Sequence, residues 1–427
     1  MGPLSLACRV KQSPCMPITH DNALGLYISI PFCRSKCTYC NFASGVYPAS
    51  EHAHYIDRLD EDLRASGAWA ARTGVELPRQ VDTVYLGGGT PSLLEPELIG
   101  RLFGAVHAEF DLEPDAEITV ECAPGQIVDQ TLEALCAAGV NRVSLGVQSF
   151  IDREAATSGR LHSRAVVLED LRRLRAVGIA NLSLDLIAGL AGQTFASWEE
   201  SLAVLAEAGV PHASVYMLEV DEDSRLGREV LAHGARYHAG LVPSDDAIAQ
   251  MYAVAIDRLA DAGLEQYEIS NFCRPGFESR HNLRYWRTRP YLGLGLDASS
   301  ALFAAGGAWP RSLMRSTTSD DLKAYLAGAT AAEAEWLEVK RQHEEAWFLG
   351  LRLNSGVDVT AVESGFGRAM VAPALEVVGR LVEDGLLVFD GKTVRLTAQG
   401  RLLSNDVFQE FLELGVEAGE TGAGMRA

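Results

Sequence analysis

Positive charge is scarce in this chain. Against 57 Asp and Glu stand 37 Lys and Arg, a formal net charge of -20 over 427 residues, and phosphate attraction depends on positive potential. Non-specific nucleic-acid binding is therefore not expected. Long apolar runs are missing too. No stretch approaches the roughly 20 residues of a membrane-crossing helix, so no integral membrane segment is expected. The first 25 residues hold neither a cationic leader nor the long apolar core of a secretory signal. Met16, closer to the first strand, is the expected natural start. A disulfide framework is absent as well: of eight cysteines, three share one loop and the others are scattered, unlike a secreted scaffold. A reduced cytoplasm fits this usage. With 48% hydrophobic and 22% charged residues, the composition is that of a globular protein able to bury a sizeable core.

What is present is concentrated in Cys33-Arg34-Ser35-Lys36-Cys37-Thr38-Tyr39-Cys40, a C-x3-C-x2-C run directly after the apolar stretch Leu26 to Ile30. Three thiolates supply three of the four ligands a 4Fe-4S cubane usually takes, leaving one iron for an exchangeable ligand. Zinc remains the alternative, but it normally wants a fourth protein ligand and paired C-x2-C elements. A disulfide would leave one thiol over. Arg34 and Lys36, between the first two cysteines, are expected to lower the thiol pKa values toward the metal-binding thiolate.

From Leu26 onward short β-branched runs alternate with amphipathic helices, the pattern of a parallel sheet with crossover helices. Ile56, Leu59 and Leu63 repeat at helical spacing. Strands are expected at Val81 to Leu86, Glu117 to Cys122, Arg142 to Gln148, Asn181 to Ile187, Ala213 to Val220 and Gln266 to Ser270. Helices are expected at Ala165 to Val177, at Ala196 to Ala208, and, with a cap, from Ser244 through Ala262. About seven strands and six crossovers roll into an open or partial barrel under the right-handed connection rule. The fold class is thus α/β, a partial (β/α)6-type barrel over 25–300. A small C-terminal winged-helix-like α+β domain follows over 301–414, its hairpin closed by Asp390-Gly391, and is expected to be a packing appendage. Residues 1–24 are expected to be a disordered extension, and 415–427 a frayed tail.

Functional residues of such folds lie at the carboxyl ends of the strands. The cysteine loop, Gly87-Gly88-Gly89, Glu121, Gln148 and Asp185 all stand at or near such ends. The triple glycine permits close backbone approach to a ligand; a tight turn is the plain alternative. Glu121 could equally be a rim carboxylate and Gln148 a satisfied strand end. Asp185, inside an apolar run, needs a partner if buried.

The cysteine loop with Tyr39, followed by Gly87-Gly88-Gly89-Thr90-Pro91, resembles radical S-adenosylmethionine (SAM) proteins. Ile28-Ser29-Ile30-Pro31-Phe32-Cys33, Gly146-Val147-Gln148-Ser149-Phe150, Gly189-Leu190-Ala191-Gly192-Gln193-Thr194 and Tyr267-Glu268-Ile269-Ser270-Asn271-Phe272 narrow the resemblance to the oxygen-independent coproporphyrinogen III oxidase family. The resemblance implies a 4Fe-4S cluster on Cys33, Cys37 and Cys40, with SAM chelating the open iron. Tyr27 and Tyr39 would flank the cofactor, Gly88, Gly89 and Thr90 would meet its methionine part, and Glu121, Gln148, Arg160 and Asp185 would complete its site. Arg160 suits a carboxylate through its planar fork.

Two features separate the branches of that family. The oxidase branch resembles C-x3-C-x2-C-x-C, and here the last position is Phe42. His281-Asn282-Leu283-Arg284-Tyr285-Trp286 resembles the H-N-x-x-Y-W motif of the HemW-type heme chaperone branch, which makes His281 the candidate heme ligand. Imidazole is a common axial ligand, although an isolated histidine among aromatics is more often a core hydrogen-bonder. Gly295-Leu296-Asp297-Ala298-Ser299-Ser300 lacks a histidine that branch usually carries. Cys273 is expected to be a small buried residue rather than a thiolate ligand. The expectation is a heme chaperone that passes heme to an acceptor protein, without dedicated catalytic turnover; the alternative is a coproporphyrinogen III oxidase.

Overall fold

The computed structural model describes residues 23–306, 310–328, 334–412 and 414. The expected start at Met16 and tail 415–427 lie outside these residues, as does the expected N-terminal extension apart from residues 23 and 24. The described chain falls into two compact units, one of residues 23–285 with 289–338, the other of 286–288 with 339–414.

The larger unit is built on six strands separated by helices: β1 (Leu24–Ile30), β2 (Gln80–Gly88), β3 (Asp111–Cys122), β4 (Arg142–Gln148), β5 (Asn181–Ala188) and β6 (His212–Met217). They pair in parallel in sequence order. Then come β7 (Glu265–Gln266), β8 (Asn271–Cys273), β9 (Tyr291–Leu294), β10 (Ser299–Phe303), β11 (Leu313–Thr317) and β12 (Glu335–Leu337). Together they form one open sheet in the order β12-β11-β10-β9-β1-β2-β3-β4-β5-β6-β8-β7.

Two expected strands are corrected. Gln266 to Ser270 is not a parallel strand: Glu268 accepts hydrogen bonds from the Ser270 amide at 3.1 Å and from the Asn271 side chain, which turns the chain between β7 and β8. Both short strands run antiparallel, and the seventh parallel strand is β9, beside β1. The strand expected over Ala213 to Val220 ends at Met217. The boundary expected at 300 falls inside β10, and because β10 to β12 extend the large sheet, the second unit takes up again only at residue 339.

The helices follow their apolar spacing. Helix Ser50–Thr73 buries Ile56, Leu59 and Leu63 and stops at Gly74, whose left-handed backbone (φ 78°) lets its N–H bond the Ala70 carbonyl. Ser244 caps helix Asp245–Asp261 by accepting from the Ala247 amide. Along the parallel strands one set of alternate residues is apolar and buried, among them Leu26, Ile28, Val84, Leu145, Leu184 and Val215. The other set is polar. Register puts Tyr27, Tyr85, Thr119 and Arg142 in one row across β1 to β4, and Glu121, Ser144, Ser183 and His212 in the next across β3 to β6. This face holds Tyr27, Glu121 and Asp185, three of the expected site residues.

The smaller unit runs through helices Val339–Leu351, Val359–Phe366 and Arg368–Glu383 into a three-stranded sheet of β13 (Val357–Asp358), β14 (Leu387–Phe389) and β15 (Thr393–Leu396). The β14–β15 turn is the expected one. Gly391 has φ 89°, and Asp390 accepts from the Lys392 and Thr393 amides at 2.9 and 2.7 Å. The Thr393 amide, the Arg395 guanidinium at 2.9 Å and the Lys392 amide hold its carboxyl down at about 2.

Candidate cluster and cofactor site

The cysteine loop leaves β1 and is folded by backbone bonds. The Cys33 amide donates to Gly45 at 2.8 Å and the Thr38 amide to Ser158 at 3.0 Å, while the Thr38 carbonyl accepts from Leu226 at 2.8 Å. Lys36 donates to the carbonyls of Phe42 and Ser44 at 2.5 and 2.8 Å. Its ammonium closes the loop. The expectation for Cys33 is corrected: its thiol is pushed up, chiefly by burial. All three cysteines are half-buried and free of disulfides. The Thr90 hydroxyl lies 3.9 Å from the Cys33 sulfur, and the Ser44 hydroxyl 4.0 Å from that of Cys40.

Among the described residues no group of three or more His, Cys, Asp or Glu is gathered closely enough to hold a metal ion. A zinc site asks its ligands to meet at one point, whereas a cubane spreads them over separate irons. Three thiols on one loop can supply three of the cubane's four ligands.

The triple glycine at the end of β2 serves first to bring two backbones together. A Cβ on Gly89 would stand 2.7 Å from the Phe32 carbonyl and 2.8 Å from that of Ile30. Without it, the Gly89 amide donates to Ile30 at 2.9 Å and the Thr90 amide to Phe32 at 2.7 Å. Gly88, at φ 97°, directs its N–H to Glu121.

Glu121 also accepts from the Tyr85 hydroxyl at 2.8 Å. Burial, with Asp185 nearby, raises its carboxyl to about 7. Asp185 has the partners its burial demands: Ser144 donates at 3.0 Å to each oxygen and Ser183 at 3.2 Å to one. Gln148 sits where the β4–β5 register shifts, in the left-handed region at φ 69°. A non-glycine residue held there is strained, and such strain collects at functional sites. Arg160 donates to the Tyr39 hydroxyl at 3.2 Å, and its Nε has no hydrogen-bond partner among the described residues. The Tyr27 ring lies 6.2 Å from that of Tyr85 and 6.5 Å from that of His281.

His281 is 1% exposed. Its Nδ1 bonds the Thr83 hydroxyl at 2.9 Å and its Nε2 the Tyr285 hydroxyl at 2.8 Å. Burial, aided by Arg284 and Arg142, drives its pKa far down. The expected heme ligand is a neutral imidazole with both nitrogens engaged. Cys273 is 2% exposed and its thiol is pushed up to about 12 by burial.

The comparisons follow this geometry. Residues 27–205 match the family model described as Radical SAM superfamily, and 337–403 match that described as HemN C-terminal domain. A Lactococcus lactis protein named Heme chaperone HemW is 35% identical over 389 residues, covering 90% of this chain and 96% of that one. The chain belongs to the HemW family. Its Escherichia coli relative, also named Heme chaperone HemW, is 30% identical over 91% of this chain and 98% of its own. Among solved structures, the Escherichia coli coproporphyrinogen III oxidase HemN shares the fold, at TM-score 0.77 and 24% identity, over 91% of this chain and 90% of that one. The radical SAM match implies a 4Fe-4S cluster and SAM, and the free thiols and orphaned Arg160 Nε of this HemW-family chain suit a cluster and a carboxylate-bearing ligand. No described helix is long and apolar enough to cross a membrane.

Sequence reasoning missed Thr83, Tyr85, Glu117, Arg142 and His212. The signal that marks them is polar alternation within the strands.

Proposed function

We propose that this chain is a heme carrier that binds heme and hands it to an acceptor protein in the cytoplasm. The observation that carries the reading is likeness over nearly the whole chain to proteins named Heme chaperone HemW, 35% identical in the Lactococcus lactis relative. Phe42, 63% exposed where the oxidase branch places a cysteine, agrees with it.

Cys33, Cys37 and Cys40 would ligate the cluster. Arg160 would take the SAM carboxylate, Glu121 and Asp185 its hydroxyl and amine groups, Gln148 its polar edge, with Tyr27 and Tyr39 flanking it and Gly88, Gly89 and Thr90 beside its methionine part. When bound, a reduced cluster supplies an electron that can cleave SAM. His281 would ligate heme iron once Nε2 leaves Tyr285.

The test is anaerobic cluster reconstitution followed by hemin titration and coproporphyrinogen turnover side by side. The expected result is a spectrally defined hemin complex without protoporphyrinogen. Robust protoporphyrinogen formation would favour the oxidase reading instead. A hemin spectrum unchanged by His281→Ala would remove His281 as the ligand.

A further inference from the structure

Arg142 opens β4, at the opposite end of the strand from Gln148. It is 2% exposed, and its Nε has no hydrogen-bond partner among the described residues. Its register neighbour on β3 is Thr119, which is 0% exposed and whose hydroxyl is likewise orphaned. Two adjacent buried donors without a protein partner call for a ligand or a water to meet them.

The polar groups facing Arg142 do not satisfy them. Glu117 is the nearest in electrostatic effect, followed by Tyr85, Tyr267 and Asp185. Glu117 accepts from the amides of Arg280 and His281, each at 3.1 Å. Asp185 accepts from Ser144 and Ser183, Tyr85 donates to Glu121, and Tyr267 bonds His212 at 3.0 Å. Each neighbour is occupied elsewhere: the carboxylates Glu117 and Asp185 favour the charged guanidinium without meeting its fork, and Tyr85 and Tyr267 are neutral phenols.

We propose that Arg142 and Thr119 form a carboxylate-binding site deep on the polar face, and that under the heme-carrier reading it receives a propionate of the bound tetrapyrrole. A planar guanidinium with an adjacent hydroxyl matches the two oxygens of a carboxylate. The site shares its face with His281, which feels the Arg142 charge and packs 5.3 Å from the Tyr85 ring. One ligand with a metal centre and an acidic arm could engage both residues. The tetrapyrrole part rests on the heme-carrier reading; the carboxylate site does not.

The test compares hemin with hemin dimethyl ester on the native chain and on Arg142→Gln, Arg142→Lys and Thr119→Val. The native chain should prefer hemin over the ester by about 10- to 100-fold, the range of a charge-assisted hydrogen bond. Arg142→Gln should abolish that preference, Arg142→Lys restore part of it, and Thr119→Val reduce it several-fold. If Arg142→Gln does not fold, the ester comparison on the native chain and on Thr119→Val still decides. A second arm follows the Arg142 Nε–H resonance of the native chain during an acetate titration, assigned by its loss in Arg142→Lys. No hemin binding together with an acetate-shifted resonance would sink the heme reading and leave the site standing. Equal binding of hemin and ester with an unmoved resonance would overturn the site and make it a water-filled polar pocket.

Discussion

At the end of β1 three half-buried thiols stand free of disulfides, on a loop whose backbone bonds leave the sulfurs available. His281, on the same unit, is 1% exposed with a hydroxyl on each ring nitrogen. The first site is ready for its ligand; the second must break a hydrogen bond before a metal can reach it. A radical SAM fold needs a cluster loop that fills once and stays filled, whereas a carrier needs a ligand that also lets go. If His281 ligates heme iron, it gives up one protein bond to gain one metal bond, which weakens the binding and leaves the released histidine a partner to return to.

The comparison breaks most sharply at the cysteines. Cys33→Ser should abolish the cluster, leaving iron and sulfide near zero after reconstitution while far-UV dichroism stays native, because the loop's bonds are made by backbone and by Lys36. Full iron in that variant would mean the thiols are not the ligands.

The next largest effect is expected where the helix carrying His281 is anchored. Asp82, 4% exposed, meets Arg284 and, at 3.0 Å, Arg289. Arg284 also donates to the carbonyls of Ala23 and Pro290 at 2.9 and 2.8 Å, and fits because Gly25 has no Cβ; one there would lie 2.5 Å from the arginine side chain. Asp82→Asn leaves a buried guanidinium short of charge and should cost about 3–5 kcal/mol by urea denaturation. A loss below about 1 kcal/mol, the scale of an exposed pair, would show that the anchor is weak.

How much of this was legible turns on which face of the strands the pattern described. The apolar run Leu184-Asp185-Leu186-Ile187 announced a strand, and Asp185 could be marked because an acid in that setting demands partners. The loop cysteines announced themselves by spacing. Thr83, Thr119, Arg142 and His212 did not, since a lone polar residue in a strand looks like solvent exposure until register lines it up with its neighbours. Long-range pairing also decided the seventh strand: Gln266 to Ser270 has strand composition, but the Glu268 side chain folds back onto Ser270 and Asn271.

A smaller effect separates the two sites by pH. The Glu121 carboxyl stands at about 7 in the fold against an ordinary 4.5, so between those values the folded chain keeps a proton that the unfolded chain has lost. Its contribution therefore falls as pH rises from about 4.5 to 7, and the penalty persists above. Glu121→Gln should raise the stability of the cofactor-free chain by about 1–3 kcal/mol at pH 8 and leave it unchanged at pH 4. His281 has the opposite sign: its pKa is depressed from 6.5, so its contribution is lost as pH falls below that value. Thermal melts across pH should show the Glu121→Gln effect growing in from about pH 4.5 to 7 and staying constant above; a pH-independent shift would locate its effect in packing.

The smallest effect goes to the core of the comparison. If His281 is held back by the Tyr285 hydroxyl, 2.8 Å from Nε2, then Tyr285→Phe keeps the ring and removes the competitor. One hydrogen bond is worth about 1 kcal/mol net, so hemin affinity should rise several-fold and hemin release to apomyoglobin should slow. Thr83→Val should not do the same, because a hydroxyl on Nδ1 orients the ring and tunes the basicity of Nε2; weaker hemin binding is expected there. If both variants behaved alike, the two nitrogens would be equivalent and the imidazole would be a structural hydrogen-bonder. Opposite responses would make Tyr285 the residue that holds His281 in reserve.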